Sequence, residues 1–193
     1  AVIAAVLVLL PRRALTTAEL VGVVLSLGAM SGSVGGLAGH EFIHRRTPLE
    51  RLLGVAVYGS VNYAHFRVSH LGGHHRNVGL PGDWSTARRD ETLYAFLVRA
   101  VVDGAVGAFQ IEALRLRRAG HAAFSLRNFV VRYAAFQALL WAAVGGLLGL
   151  RALAVFLLTS ALAVFLMETV NYLSHYGLTR RVYSDGHPEP IQN

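Results

Sequence analysis

The sequence predicts an all-α fold, a polytopic transmembrane helical bundle, on three observations. The chain is 54% hydrophobic and 15% charged, with a mean hydropathy of +0.46, whereas a soluble domain carries about 25% charged residues. Long runs lack any charge: Leu20 to Ala38, then Tyr133 to Leu150 and Ala152 to Met167. Where charges do appear, as in Thr92 to Arg118, the apolar residues Leu93, Phe96, Leu97, Ala100, Val101 and Ile111 keep a helical spacing rather than an alternating one. At 193 residues, a single integral-membrane domain covering 1–193 is expected.

Ala1 to Leu10 reads as about half a transmembrane helix, closed by Pro11-Arg12-Arg13 at an interface. The chain begins inside this apolar run without a signal-peptide pattern and stops at Ile191-Gln192-Asn193 after a turn-rich tail. It is therefore read as a fragment truncated at both ends. Leu20 to Ala38 spans roughly 28 Å as helix, close to the hydrocarbon thickness, and its pattern continues to His44. Gly28, Gly32 and Gly36 lie in an i,i+4 row with His40 and His44. The row has two readings, close helix packing or a narrow channel for an apolar chain.

Leu52 to Ala64 is short for a crossing, and is expected to enter and return or to lie in the interface. Arg45, Arg46, Arg51, Arg67 and Arg76 flank it, which suits a common cytoplasmic side, while Arg12 and Arg13 fall opposite. Asn77 to Asp90 reads as a loop, Thr92 to Arg118 as an amphipathic helix on the membrane surface, and the two last runs as a hairpin turning at Gly149 to Arg151. The hairpin's second helix then delivers Glu168, Asn171 and His175 to the side that holds the other histidines.

All 18 basic residues are arginine and the net charge is +7. The cationic surface suits anionic lipid head groups or an acidic protein partner, and no nucleic acid is expected. With no cysteine, disulfides, thiolate ligands and iron–sulfur centres held by this chain alone are excluded. Electrons for any redox chemistry must come from elsewhere.

Nine histidines are present, and six stand at ligand spacings: His40 and His44, then His70, His74 and His75, then His175. Histidines four apart on a helix share a face with side chains about 5 to 6 Å apart, so both imidazoles can hold one metal ion. Six imidazoles exceed the needs of one ion with an open position, so two ions are expected, and imidazole-rich ligation of a redox metal suits iron. His40-Glu41-Phe42-Ile43-His44 also fits the zinc-protease pattern in which Glu41 is the general base. That reading leaves His70, His74, His75 and His175 without a role and has only Asp103 as a further carboxylate ligand.

His40-Glu-Phe-Ile-His44-Arg, His70-Leu-Gly-Gly-His74-His75, Pro81-Gly-Asp83 with Thr86-Ala-Arg88, and Asn171-Tyr-Leu-Ser-His175-Tyr-Gly-Leu178 resemble the membrane alkane 1-monooxygenases, within the histidine-box group of desaturases and hydroxylases. The resemblance runs from about Gly39 to the end, and its most specific element is the NYxxHYGL stretch. It implies that His40, His44, His70, His74, His75 and His175 are iron ligands of a non-haem di-iron site facing the cytoplasm. It implies hydroxylation of an alkane terminal methyl with O2, in a bacterial inner membrane, with electrons from rubredoxin or a similar small carrier. Tyr63-Ala-His65-Phe66 is similar to a family segment as well, with His65 outside the ligand positions.

Two departures stand out. Ser69 and Ser174 replace glutamates common in the family, and the family's further HxxHH box has no counterpart here, since His187 does not match it. The implied chemistry needs no catalytic residue beyond the ligands; Glu41 and Glu168 are candidates for supporting or proton-relay roles. Alternatives are a hydroxylase of aryl methyl groups, a fatty acyl desaturase, or, in a different class, an inactive membrane metal-binding relative.

Overall fold

Capping chemistry and three runs of uncharged helix set the frame of the computed structural model, which describes residues 2–190. Ala1 and the Ile191-Gln192-Asn193 end lie outside the described residues. Helix α1 (Val2–Leu9) passes through a 3-10 turn at Leu10–Arg12 that accepts Pro11 because its missing N–H would be unpaired there. Helix α2 (Thr17–His44) opens at a capping box: the Glu19 amide donates to the Thr16 hydroxyl (3.3 Å) and the Thr16 amide to the Glu19 carboxylate (2.7 Å). Helix α3 (Pro48–Gly59) is capped by Thr47 and starts with a proline.

Residues 66–77 form α4, which is α-helical at Phe66–Ser69 and His75–Asn77 with a π turn at His70–His74 between. Helix α5 (Leu93–Arg118) follows a polar loop. Helices α6 (Phe129–Leu148) and α7 (Leu150–His175) make the expected hairpin. The reversal turns on Gly149, whose φ of +87° is left-handed backbone that a side chain would strain. No strand occurs among the described residues beyond one isolated bridge, Val182 with Pro188. The fold is all-helical and integral to the membrane.

Helices α2 and α7 run parallel and in close contact. A Cβ placed on Gly28 would meet Leu162, one on Gly32 would lie 2.7 Å from the Ala163 carbonyl oxygen, and one on Gly36 would meet Met167. Of the two readings of this glycine row, the structure gives the packing one, because the glycines let two backbones approach where lipid offers no hydrophobic drive. The parallel course carries His40, His44 and His175 to one end. At the opposite end Arg151 hydrogen-bonds to the Leu15 carbonyl, while Leu7 and Leu10 pack on Val144, Ala152, Val155 and Phe156.

Helix α3 folds back along α2. Gly54 faces Ile43, Gly39 faces Val57 and Tyr58, and the Tyr58 hydroxyl donates to the Gly36 carbonyl at 3.1 Å. After a turn that uses Asn62 at φ +60°, α4 climbs back to the histidine level. The short segment thus enters and returns. Its tip is tied by Asn62, which accepts from Trp141 Nε1 (2.8 Å) and Gln137 Nε2 and donates to Ser160 Oγ (2.6 Å).

Among the described residues, four helices are long and apolar enough to cross a membrane: Thr17–His44, Leu93–Arg118, Phe129–Leu148 and Leu150–His175. For α5 the contacts indicate a different course. Its Phe96 packs on Tyr172, near the end of α7, and its Glu112 accepts the Phe129 amide at the start of α6 (2.9 Å). Both ends of α5 therefore lie on the histidine side. A crossing would also make three passes between His44 and His175 and separate residues that are neighbours. Helix α5 lies across the bundle, and its mixed apolar and charged sequence fits that placement.

Candidate metal centre

The first box is placed by α-helical periodicity. His40 and His44, one turn apart at the end of α2, have ring centroids 4.6 Å apart. The second box needs a different geometry. In a continuous α-helix, His75 would be rotated about 140° from His70, five steps of about 100°. The π turn at His70–His74 widens the helix to an i→i+5 repeat, and so His70, His74 and His75 all face the same region. Gly72 and Gly73 make that turn accessible to its neighbours: a Cβ at Gly72 would press on Ile111 and one at Gly73 would lie 2.2 Å from the Trp84 ring.

The result is a convergence of nitrogens. Nε2 of His70 lies 2.9 Å from Nε2 of His40, 3.2 Å from that of His44 and 2.9 Å from that of His75. One atom from each of the four lies within 4.8 Å of every other. An imidazole Nε2 carries either one proton or one lone pair, so His70 Nε2 can make one hydrogen bond and not three. Neighbouring positions around an ion with metal–nitrogen bonds of about 2.0–2.1 Å are roughly 3 Å apart, which is the spacing seen. The residues fit a metal ion.

Burial agrees with that use. His70 is pushed down to about 2, by burial first and then by the surrounding imidazoles, and His75 is lowered by burial and by His44. Both shifts favour the neutral form, which a metal ligand requires.

His74 and His175 form a separate pair beside this cluster, with centroids 4.9 Å apart. Nδ1 of His74 lies 2.8 Å from the buried Asp83 carboxylate, and Nδ1 of His175 lies 3.1 Å from the Asn171 carbonyl. A proton on each Nδ1 leaves both Nε2 lone pairs free, the usual way a ligand imidazole is oriented. Burial alone would raise Asp83; hydrogen bonds from His74, the Thr86 hydroxyl and the Ser85 amide hold it below the usual carboxylate range. Asp83 stands in the sequence within the Pro81-Gly-Asp83 motif of the family resemblance, but the motif assigns it no role; its position in a short loop after a histidine box is the only local hint.

Other expectations resolve individually. Glu41 is exposed and pairs with Arg45 at 3.2 Å, so the protease reading has its general base facing away from the imidazoles. Glu168 is 1% exposed and accepts from the Tyr63 hydroxyl (2.8 Å) and the Asn171 amide (3.1 Å), and the Tyr63 bond ties the turn before α4 to α7. His65 is not among the four converging imidazoles; its ring stands against Tyr63, and burial lowers its pKa to about 4. Ser69 is buried and donates to the Phe66 carbonyl, while Nδ1 of His70 is buried without a partner. A cavity of about 480 Å³, lined by apolar residues such as Leu7, Met30, Val57, Val61, Val144 and Phe156, opens between α1, α2, α3, α6 and α7.

A family model described as fatty acid desaturase matches residues 17–193. Among curated proteins, alkane 1-monooxygenase 2 of Pseudomonas aeruginosa is 38% identical over 168 residues, covering 87% of this chain and 45% of the relative. Alkane 1-monooxygenase 2 of Alcanivorax borkumensis is 36% identical over 171 residues (89% and 45%). The xylene/toluene monooxygenase hydroxylase component XylM of Pseudomonas putida is 33% identical over 165 residues (84% and 44%). The chain spans less than half the length of the curated relatives it matches.

Proposed function

The chain belongs to the fatty acid desaturase family, and from that premise we propose that it forms the metal-holding part of a membrane non-haem di-iron alkane 1-monooxygenase. The observation that carries this reading is the convergence of four imidazole Nε2 atoms within 4.8 Å, with a second oriented pair beside them. His40, His44, His70 and His75 would hold one iron, and His74 and His175 would contribute to a second. Bound there, iron would supply the activation of O2 for insertion of one oxygen atom into an unactivated C–H bond.

The residues of the chain set the conditions for that chemistry. Burial of His70 favours its unprotonated form, Asp83 fixes the tautomer and direction of His74, and the returning α3–α4 segment keeps the site at the end of apolar helices where a lipid-dissolved substrate arrives. The apolar cavity between the membrane helices suits an alkane chain, though its lining includes none of the six histidines; attack at the terminal methyl is part of the proposal. With no cysteine to hold a redox centre, electrons would come from rubredoxin or a similar small carrier. The arginines around the histidine end favour a cytoplasmic face of a bacterial inner membrane.

Similarity to XylM supports a second reading, hydroxylation of a methyl group on an aromatic ring. The test is elemental analysis and Mössbauer spectroscopy on the full-length gene product in membranes, followed by product analysis with octane and with xylene. Two irons per chain and 1-octanol are expected. A methylbenzyl alcohol as the only product selects the second reading, and one zinc or no metal overturns both.

A further inference from the structure

We propose that Arg99 is a positioning residue for His74 and His175: its guanidinium fixes segment 83–91, and that segment orients both imidazoles. That the two histidines bind metal as a pair rests on the reading above; the positioning itself does not.

Arg99 projects from α5 with its side chain 13% exposed. Nη1 donates to the carbonyls of Asp83 (3.2 Å) and Trp84 (3.1 Å), and Nη2 donates to the carbonyl of Thr86 (2.9 Å). Nε and Nη2 also grip the Glu91 carboxylate at 2.8 and 2.6 Å. A guanidinium has five N–H donors in a fixed plane, and all five find acceptors within this one segment. Without it, three largely buried carbonyls would lose their donors at the same time.

The segment has two outlets. At its start, Asp83 reaches His74 Nδ1 at 2.8 Å, braced by the Thr86 hydroxyl and the Ser85 amide. Along its length it holds the surroundings of His175: the Tyr172 hydroxyl donates to the Glu91 carbonyl (2.7 Å), the Asp90 amide to the Tyr176 hydroxyl (3.0 Å) and the Gly177 amide to the Ala87 carbonyl (2.9 Å). The other four histidines are placed by α2 and the π turn. Loss of Arg99 therefore acts on one histidine pair and spares the cluster beside it, which a general loss of folding would not do.

The experiment uses the full chain in lipid nanodiscs, labelled with ¹⁵N at histidine and free of metal. In the wild type, the His74 Nδ1 proton bonded to Asp83 gives a downfield signal, assigned by its loss in D83N. In R99A that signal disappears. R99K keeps the charge but offers a compact ammonium in place of the fork, loses the signal too, and serves if R99A does not fold. Anaerobic titration with Fe²⁺ then retains the first ion at wild-type affinity and weakens the second by about 10- to 100-fold, the usual cost of losing an outer partner of a ligand. Either folded variant with the wild-type His74 signal overturns the proposal. A wild type that binds no second iron sinks the two-metal reading, while the metal-free signal still decides the role of Arg99.

Discussion

The four-histidine cluster and the His74/His175 pair lie side by side but are built by different means. His40, His44, His70 and His75 come from two helical segments whose own repeats, an α turn and a π turn, align the histidines within each, and the fold-back of α3 on α2 brings the two sets together. His74, although carried by the same π turn, and His175 are oriented by a loop, a buried carboxylate and the end of a distant helix. A site made by local periodicity is sensitive to the ligands themselves. A site made by tertiary hydrogen bonds is sensitive to residues that never approach the metal.

Breaking the cluster at its hub gives the largest effect. Because His70 Nε2 is the neighbour shared by the other three, His70→Ala should, on the proposed two-iron reading, lower affinity for the ion at the four-histidine cluster by more than about 100-fold, beyond the usual outer-partner loss, and abolish the proposed hydroxylation. Metal titration of the purified chain checks this, and unchanged binding would remove His70 from the ligand set. The counterpart is Asp83→Asn, which keeps the shape but gives up the carboxylate. The second ion should weaken by about 10- to 100-fold with the first unchanged, and equal loss at both would erase the distinction between the two regions.

A smaller effect is expected where the regions touch. A Cβ at Gly73 would lie 2.2 Å from the Trp84 ring, so Gly73→Ala should force the ring and the π turn apart at a cost of about 1–3 kcal/mol, read as a lowered thermal midpoint. The smallest effect concerns pH. Asp83 is held below its ordinary value, so its stabilisation is fully present above the unfolded carboxylate value of about 4 and is lost as pH falls through the lower folded value. The gap in thermal midpoint between the wild type and Asp83→Asn should therefore narrow in acid, and a gap constant across that range would place the carboxylate in an ordinary environment.

Much of this was legible along the chain. Uncharged runs marked α2 and the α6–α7 hairpin, and the parity of crossings placed His175 with the other histidines, because hydrocarbon thickness constrains helix length strongly. The role of the second box was less so. HLGGHH does not announce a π turn, since the i→i+5 repeat is stabilised by what packs on Gly72 and Gly73, namely Ile111 and Trp84. The glycines of α2 allowed either packing or a channel until Leu162, Ala163 and Met167 were found against them. Arg99 read as one charge interleaved on an amphipathic helix, and nothing local distinguishes a solvated arginine from one that holds three carbonyls and a carboxylate.

The sequence by itself determined the all-helical membrane fold and the six histidines brought to one end, and it narrowed the short segment to entering and returning or lying in the interface, because these follow from periodicity, charge and length, which are properties of neighbouring residues. Only the tertiary structure decided how those histidines divide into a converged four and an oriented two. It also set α5 across the bundle, and assigned Asp83 and Arg99 their partners. Those outcomes depend on hydrogen bonds between residues far apart in the chain, whose pairing is fixed by distance and direction in the folded bundle and not by spacing along it.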